Sequence, residues 1–274
     1  MTGPDHASRA AKFLSLHRPD PPLLMPNPWD QGSARLLASL GFSALATTSG
    51  GHAAALGRAD GAVTRDEALA HARAVVEATD LPVSADLENG FADDPEGVAQ
   101  TVEQAVEAGL AGCSVEDFSG GPDGRIYDVG LAQDRVVAAA DAAHRGPVHL
   151  VLTARAENHI RGRPELADTV ARLQRYQEAG ADVLFAPGVF TAEELRVVVS
   201  SVDRPVSVLA LPGVPPVAQL AELGVSRVSV GSAFAYVALG AVVEAATELR
   251  DEGSYGYWAQ AGAGAAAFRS ALAG

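Results

Sequence analysis

The chain has 274 residues, 48% of them hydrophobic, and a formal net charge of −14. That length suits one α/β barrel, no run approaches the roughly 20 apolar residues of a membrane span, and the acidic balance argues against nucleic acid, whose phosphates it would repel. Cys113 is the only cysteine, which excludes an intrachain disulfide and a Cys-based zinc cluster; Lys12 is the only lysine and precedes the first strand, which argues against a Schiff base. Carbanion or enolate chemistry in this chain must therefore lean on a metal and on arginine. Residues 1–20 carry no apolar leader core, so the expected location is cytoplasmic.

In chain order, a helical opening around Ala7 to Leu16 precedes a strand at Leu23-Leu24-Met25-Pro26 and a helix from about Gly32 to Leu40. The second strand, Ala44 to Thr47, runs into a Thr48-Ser49-Gly50-Gly51-His52 loop. Thr64 and Glu67 have the spacing of a capping box for a helix to Ala78. Strand three is the stretch Val83-Ser84-Ala85-Asp86-Leu87-Glu88-Asn89-Gly90-Phe91, an apolar start ending in two carboxylates and an Asn-Gly turn, and Asp94-Pro95 opens the next helix. Strand four is Gly112 to Asp117, with a helix ending near His144, and strand five is His149 to Arg155, with a helix from Pro164 to Ala179. Strands at Asp182–Ala186, Val206–Leu211 and Arg227–Val230 follow, with helices capped at Thr191, starting near Pro216, and running from Ser232 to Glu252. A last helical piece spans about Tyr257 to Leu272. Eight strand-then-helix units in succession predict a parallel sheet closed into a single (β/α)₈ TIM barrel over residues 1–274, with a C-terminal helical extension at about 233–274.

In this fold the C-terminal strand ends carry the site. Asp86 and Glu88 are two residues apart, so a continuing strand projects both carboxylates to one face. They settle there with a cation between them, a shared proton or full solvation; an oxygen-only set suits Mg²⁺ or Mn²⁺ rather than zinc. Glu116 ends the neighbouring strand and Arg155 the next. Arg155 reads either as a fork for a substrate carboxylate or phosphate, or as a structural ion pair with Glu116 or Glu157. Thr48, Ser49 and Gly50 could present N–H groups and hydroxyls to an anion. His52 and His159 lie near loops and could do acid–base work or be incidental, while Cys113 reads as core. No dinucleotide or Walker motif is present.

These pieces together resemble the isocitrate lyase/phosphoenolpyruvate mutase superfamily. The resemblance rests on Asn27-Pro28-Trp29-Asp30, Thr48-Ser49-Gly50, Leu56-Gly57-Arg58-Ala59-Asp60, Ala85-Asp86-Leu87-Glu88-Asn89-Gly90-Phe91, Ser114-Val115-Glu116-Asp117, Ala154-Arg155-Ala156-Glu157 and Ala179-Gly180-Ala181-Asp182, in that order from Pro26 to about Gly253. It implies a Mg²⁺-dependent (Mn²⁺ as substitute) carbon–carbon lyase or decarboxylase acting on a small 2-oxo or 2-hydroxy (di)carboxylate through an enolate-like intermediate. By the same resemblance Asp86 is the nearest metal ligand; Glu88, Glu116 and Asp60 hold metal-bound waters; Thr48, Ser49, Gly50 and Arg155 hold the substrate; and Arg155, Glu116 and Asp60 serve catalysis. It also implies a homodimer or homotetramer with a C-terminal helix swapped between subunits. The alternatives are a phosphonate mutase or phosphonopyruvate hydrolase, and a barrel that binds a 2-oxo acid without turnover.

The chain departs from the resemblance after strand four. Where lyases of the family carry a loop with a proton-donating Cys, this chain reads Phe118-Ser119-Gly120-Gly121-Pro122-Asp123-Gly124-Arg125-Ile126-Tyr127-Asp128. The expectation is a mobile lid with Tyr127 as the substitute acid to test, Arg125 as an anion contact, and feeble cleavage of isocitrate-type substrates.

Overall fold

A computed structural model describes residues 4–121 and 124–273. Its strands are β1 (Leu23–Met25), β2 (Leu45–Ala46), β3 (Val83–Asp86), β4 (Gly112–Glu116), β5 (Val151–Arg155), β6 (Val183–Phe185), β7 (Val206–Leu209) and β8 (Arg227–Ser229). They form one parallel sheet in the order β1-β8-β7-β6-β5-β4-β3-β2, so the last strand returns to the first. Across the β1–β2 seam the Ala46 N–H donates to Pro26 O at 3.1 Å, and Asn27 Nδ2 donates to Thr47 O at 3.0 Å. Asn27 Oδ1 accepts the Val230 and Gly231 N–H groups, both at 3.0 Å. One buried asparagine thus ties the first strand's exit to both neighbours and closes the (β/α)₈ barrel. Asn27, the first residue of one of the matched segments, is a brace here and also lines the mouth.

The helices are α1 (Pro4–Ser15), α2 (Gln31–Ser39), α3 (Ser49–Ala55), α4 (Arg65–Glu77), α5 (Pro95–Glu107), α6 (Val129–His144), α7 (Leu166–Glu178), α8 (Ala192–Ser200), α9 (Val217–Glu222), α10 (Ala233–Asp251) and α11 (Trp258–Ala273). The Thr64/Glu67 box and the Asp94 cap form as their spacing predicts. The main apolar core lies between the sheet and its surrounding helices. A second cluster joins Ala10 and Phe13 of α1 to Leu23, Ala44, Ala111 and Val151 at the strand starts. The fit is close enough that a Cβ on Gly112 would lie 2.6 Å from Phe13 Cε1. Since α1 plugs the N-terminal end of the barrel, the open end is where the strands finish.

The Thr48–His52 stretch, expected as a loop, instead begins α3. Thr48 caps the helix, accepting the Gly51 N–H at 3.4 Å, and its hydroxyl meets Ser232 Oγ at 2.8 Å. Glycine is needed at Gly51 because a Cβ there would lie 2.6 Å from Thr48 Cγ2 and 3.2 Å from Trp29 Cβ. Close packing, not local propensity, decides this turn of helix.

Candidate active site

One cavity of about 250 Å³ opens at the strand ends and is lined by Thr48, Ser49, Asp60, Asp86, Arg155 and Arg161 among others. A neighbouring hollow brings Asp60, Glu88, Glu116, Phe118, Arg155 and Arg161 together. The structure therefore gathers Asp60, Asp86, Glu88, Glu116 and Arg155 at one mouth, while Tyr127, His52 and His159 do not line it.

Asp86 ends β3, and the strand stops there. Glu88 lies beyond it in a left-handed conformation with φ of +50°, its N–H 3.4 Å from Asp86 Oδ1. The expectation that strand alternation alone aligns the two carboxylates is corrected: a turn brings Glu88 round. A left-handed non-glycine residue costs on the order of 1–3 kcal/mol, a strain that is concentrated at functional sites. The turn is secured by Gly90 N–H to Leu87 O at 2.7 Å and by Glu116 N–H to Glu88 O at 2.8 Å.

Asp86 Oδ2 accepts both the backbone N–H (3.2 Å) and the hydroxyl (2.9 Å) of Ser49. Ser49 is thus engaged with a carboxylate, and Thr48 with Ser232. At Gly50 a Cβ would lie 2.7 Å from Ser232 Oγ and 3.3 Å from Asp60 Cγ, so Asp60 packs directly over that backbone.

Arg155 ends β5, with Glu116 its ladder partner on β4. Its Nη1 meets Asp86 Oδ1 at 2.9 Å, and its Nη2 meets Glu116 Oε2 at 3.0 Å. Glu157 Oε1 accepts from Nε at 3.1 Å and from Nη2 at 2.8 Å. Arg155 thus realises the structural ion pair with both proposed partners while still facing the cavity. Arg161, for which no motif or strand-end position argued, adds the second cation. Its Nε donates to Glu157 Oε2 at 3.2 Å, its Nη2 lies 3.5 Å from Glu116 Oε1, and it stacks 3.9 Å from the Phe118 ring centroid. Its only local signal is a position four residues after Glu157, helical spacing inside a loop.

Charge at this mouth is unbalanced: Asp60, Asp86, Glu88, Glu116 and Glu157 face Arg155 and Arg161. Burial, then repulsion from Asp86 and Asp60, pushes the Glu88 carboxyl up to about 7. Burial, with Glu157 and Asp86 nearby, also raises Glu116 well above the usual range, although Arg155 opposes it. Arg155 itself stays charged, since its three carboxylates outweigh the cost of burial. Excess negative charge on oxygen-only donors fits a hard divalent cation. Among the described residues only His144, His149 and Asp182, at the other end of β6, offer three ligand atoms within 4.8 Å of one another. The mouth carboxylates stand farther apart, which suits an ion that keeps several waters.

The loop after β4 places Tyr127 elsewhere than expected. Phe118 bridges to Ile126, and Tyr127 N–H donates to Asp117 O at 2.8 Å, so both ends of the loop are anchored. Tyr127 is buried and its hydroxyl donates to Asp93 Oδ1 while accepting from Asn89 Nδ2. Burial and then Asp93 raise its pKa. Tyr127 is thus held behind the barrel wall and does not line the cavity. Arg125 is exposed, Asp128 caps α6, and Pro122 and Asp123 lie outside the described residues. His52 stacks on His71 at 3.8 Å and His159 Nδ1 bonds Thr169 Oγ1 at 2.8 Å, so both rings are engaged in packing. Cys113 is buried, as expected.

Residues 13–250 match the phosphoenolpyruvate phosphomutase family. The chain belongs to the isocitrate lyase/phosphoenolpyruvate mutase superfamily. A crystal structure of a candidate lyase/mutase from Burkholderia cenocepacia J2315 is 48% identical, with a TM-score of 0.90 over 93% of this chain and 92% of that one. The crystal structure of 2,3-dimethylmalate lyase, a superfamily member, is 30% identical, with a TM-score of 0.81 over 90% and 89% of the two chains. Oxaloacetate acetylhydrolase in complex with its product oxalate is 26% identical, with a TM-score of 0.82 over 91% and 89%. The superfamily's sequence features and the carboxylate–arginine mouth thus coincide on one surface of this barrel.

Proposed function

We propose that the protein is a Mg²⁺-dependent carbon–carbon lyase or decarboxylase acting on a small 2-oxo or 2-hydroxy (di)carboxylate, with Mn²⁺ as a substitute ion. The observation that carries this reading is the mouth itself: five carboxylates against two guanidiniums, with no lysine among them. Asp86 would be the direct ligand, and Glu88, Glu116 and Asp60 would hold the ion's waters. When bound, the ion supplies positive charge to the substrate oxygen that gains electrons as the carbon–carbon bond breaks.

The chain's own residues do the rest. Arg155, spanning Asp86, Glu116 and Glu157 and lining the cavity, would present its guanidinium to a substrate carboxylate. Ser49 and the α3 N-terminus, at Gly50, fix the other end, and Thr48 holds that turn against Ser232. Among the described residues of the loop after β4 none is an acid suited to donate a proton at neutral pH, since Tyr127 is buried with a raised pKa. That favours decarboxylation, or release of a stabilised enolate, over isocitrate-type cleavage. Assays of oxaloacetate decarboxylation beside 2-methylisocitrate cleavage, with EDTA and with added Mg²⁺, Mn²⁺ or Zn²⁺, test this. Metal-dependent turnover of oxaloacetate alone supports it; full activity in EDTA, or methylisocitrate cleavage at ordinary lyase rates, refutes it.

The match to the phosphomutase family keeps a phosphonate-processing reading as the second one, and inorganic phosphate released from phosphonopyruvate would favour it. We also propose a homodimer or homotetramer. In support, Ala235 is the buried residue of α10, while Val237, Val242 and Val243 are 70%, 63% and 64% exposed. Among the described residues no helix is long and apolar enough to cross a membrane.

A further inference from the structure

Below the mouth the same cavity continues into the barrel, past Ser84, Ser114 and Ser229, to Arg227. Barrel lumens of this fold are ordinarily filled by bulky branched side chains. Here Ser84, Ser114 and Ser229 stand beside Met25, Phe185 and Leu209, and a hollow remains. Arg227 is the first residue of β8, paired in register with Leu23 and Ser207, so it sits at the lumen's lower level.

Arg227 is 3% exposed, and every partner it has is neutral. Its Nε donates to Ser207 Oγ at 2.8 Å, and its Nη1 reaches Thr153 Oγ1 at 3.1 Å and His17 Nε2 at 3.3 Å. Burial and then the Arg227 charge hold His17 down to about 3, so its ring is neutral, with Nδ1 donating to Phe13 O at 2.9 Å. Among the described residues no carboxylate pairs with Arg227 and nothing bonds its Nη2. The charged group that acts on it is Arg155, a like charge; burial first and Arg155 second bring its pKa down to about 9, which still leaves it cationic at neutral pH. A buried cation without a counter-ion is costly, and replacing such a group by an apolar one is often neutral or stabilising. An unpaired guanidinium at the base of a hollow, hydroxyl-lined lumen has the character of a subsite awaiting an anion.

We infer that Arg227 and the serine-lined lumen above it form an anion subsite that takes the distal carboxylate of a substrate whose 2-oxo acid end sits at the mouth. The inference rests on the proposed 2-oxo acid site, and the probes separate the two. Titration calorimetry in Mg²⁺ would use oxalate and pyruvate, which engage the mouth alone, beside oxaloacetate and 2-oxoglutarate, which add a second carboxylate.

Wild type should bind at least one of the two dicarboxylates about tenfold or more tighter than pyruvate, the value of a charge-assisted contact. Arg227→Met should erase that preference, leave oxalate and pyruvate affinity within about twofold, and not lower the unfolding midpoint. Ser229→Val, which narrows the lumen with Arg227 untouched, should lose the same preference and carries the test if Arg227→Met fails to fold. Oxalate binding with no dicarboxylate preference in wild type, or a preference that survives either substitution in a folded variant, would overturn the subsite. Failure of oxalate to bind at all would instead overturn the mouth's reading and the subsite with it.

Discussion

Replacing Arg155 with methionine removes the one side chain that holds Asp86, Glu116 and Glu157 together. Arg155 is 14% exposed, against 18%, 7% and 1% for those three carboxylates, and every contact lies between 2.8 and 3.1 Å. Removing one partner of a buried pair costs about 3–5 kcal/mol, because the remaining charge is left uncompensated. Here three carboxylates are left, but they border a solvent-reaching cavity, so the lower end, about 3 kcal/mol, applies. For a chain of this size each kcal/mol moves the unfolding midpoint by about 2–4 °C, so a fall of roughly 6–12 °C is expected in EDTA. Millimolar Mg²⁺ should restore much of that loss, and raise the variant's midpoint more than the wild type's, since a bound cation replaces the missing guanidinium charge. The assay is thermal unfolding followed by circular dichroism with EDTA or with Mg²⁺. An unchanged midpoint in EDTA, or an equal Mg²⁺ increment in both proteins, would refute the shared-cation account of the mouth.

Gly50→Ala should leave the fold intact but weaken Mg²⁺ binding by about tenfold, because the new Cβ would press on Ser232 Oγ and displace Asp60; calorimetry with unchanged affinity would show that Asp60 does not need that position. Tyr127→Phe should cost about 1 kcal/mol of stability and leave turnover within about twofold, as its hydroxyl serves Asp93 and Asn89 behind the barrel wall; a turnover loss of 100-fold would return Tyr127 to the chemistry. Burial pushes the Asp182 carboxyl up, but bonds from His144, the Leu152 N–H and His149 outweigh it and hold it below its ordinary value. Its stabilisation is therefore present above the unfolded pKa near ~4 and is lost as pH falls through the lower folded value. Asp182→Asn should cost about 1–3 kcal/mol at pH 7, with the gap to wild type closing below about pH 4 in urea titrations; a pH-independent gap would contradict this.

The barrel was legible because its signals are local. Eight short apolar runs alternate with helices whose starts are announced by Thr64/Glu67 and Asp94-Pro95, and polar residues finish β3, β4 and β5. What escaped was set by tertiary contact. Ser49-Gly50-Gly51 has turn propensity, yet the Thr48 cap and close packing on Trp29 and Ala235 make it helical. Glu88 reaches the mouth through a left-handed turn that nothing in Asp-Leu-Glu requires. Tyr127 reads as a lid residue by position, but the Phe118–Ile126 bridge turns it inward. Arg161 and Arg227 act through long side chains whose targets are distant in sequence. For Arg227 a hint existed, since it lies two residues before Ser229 and shares its face of β8.

The central claim is that Asp86 anchors a divalent ion through which a 2-oxo acid binds. Its most direct measurement is calorimetric titration of oxalate into wild type and Asp86→Asn, each with Mg²⁺ and with EDTA, alongside circular dichroism to show that the variant is folded. Wild type should bind oxalate in Mg²⁺ and not in EDTA, and folded Asp86→Asn should lose about 100-fold or more of that affinity, because the ion loses its nearest charge while the side chain keeps its shape. Binding of oxalate by folded Asp86→Asn with wild-type affinity, or by wild type equally well in EDTA, would contradict the claim.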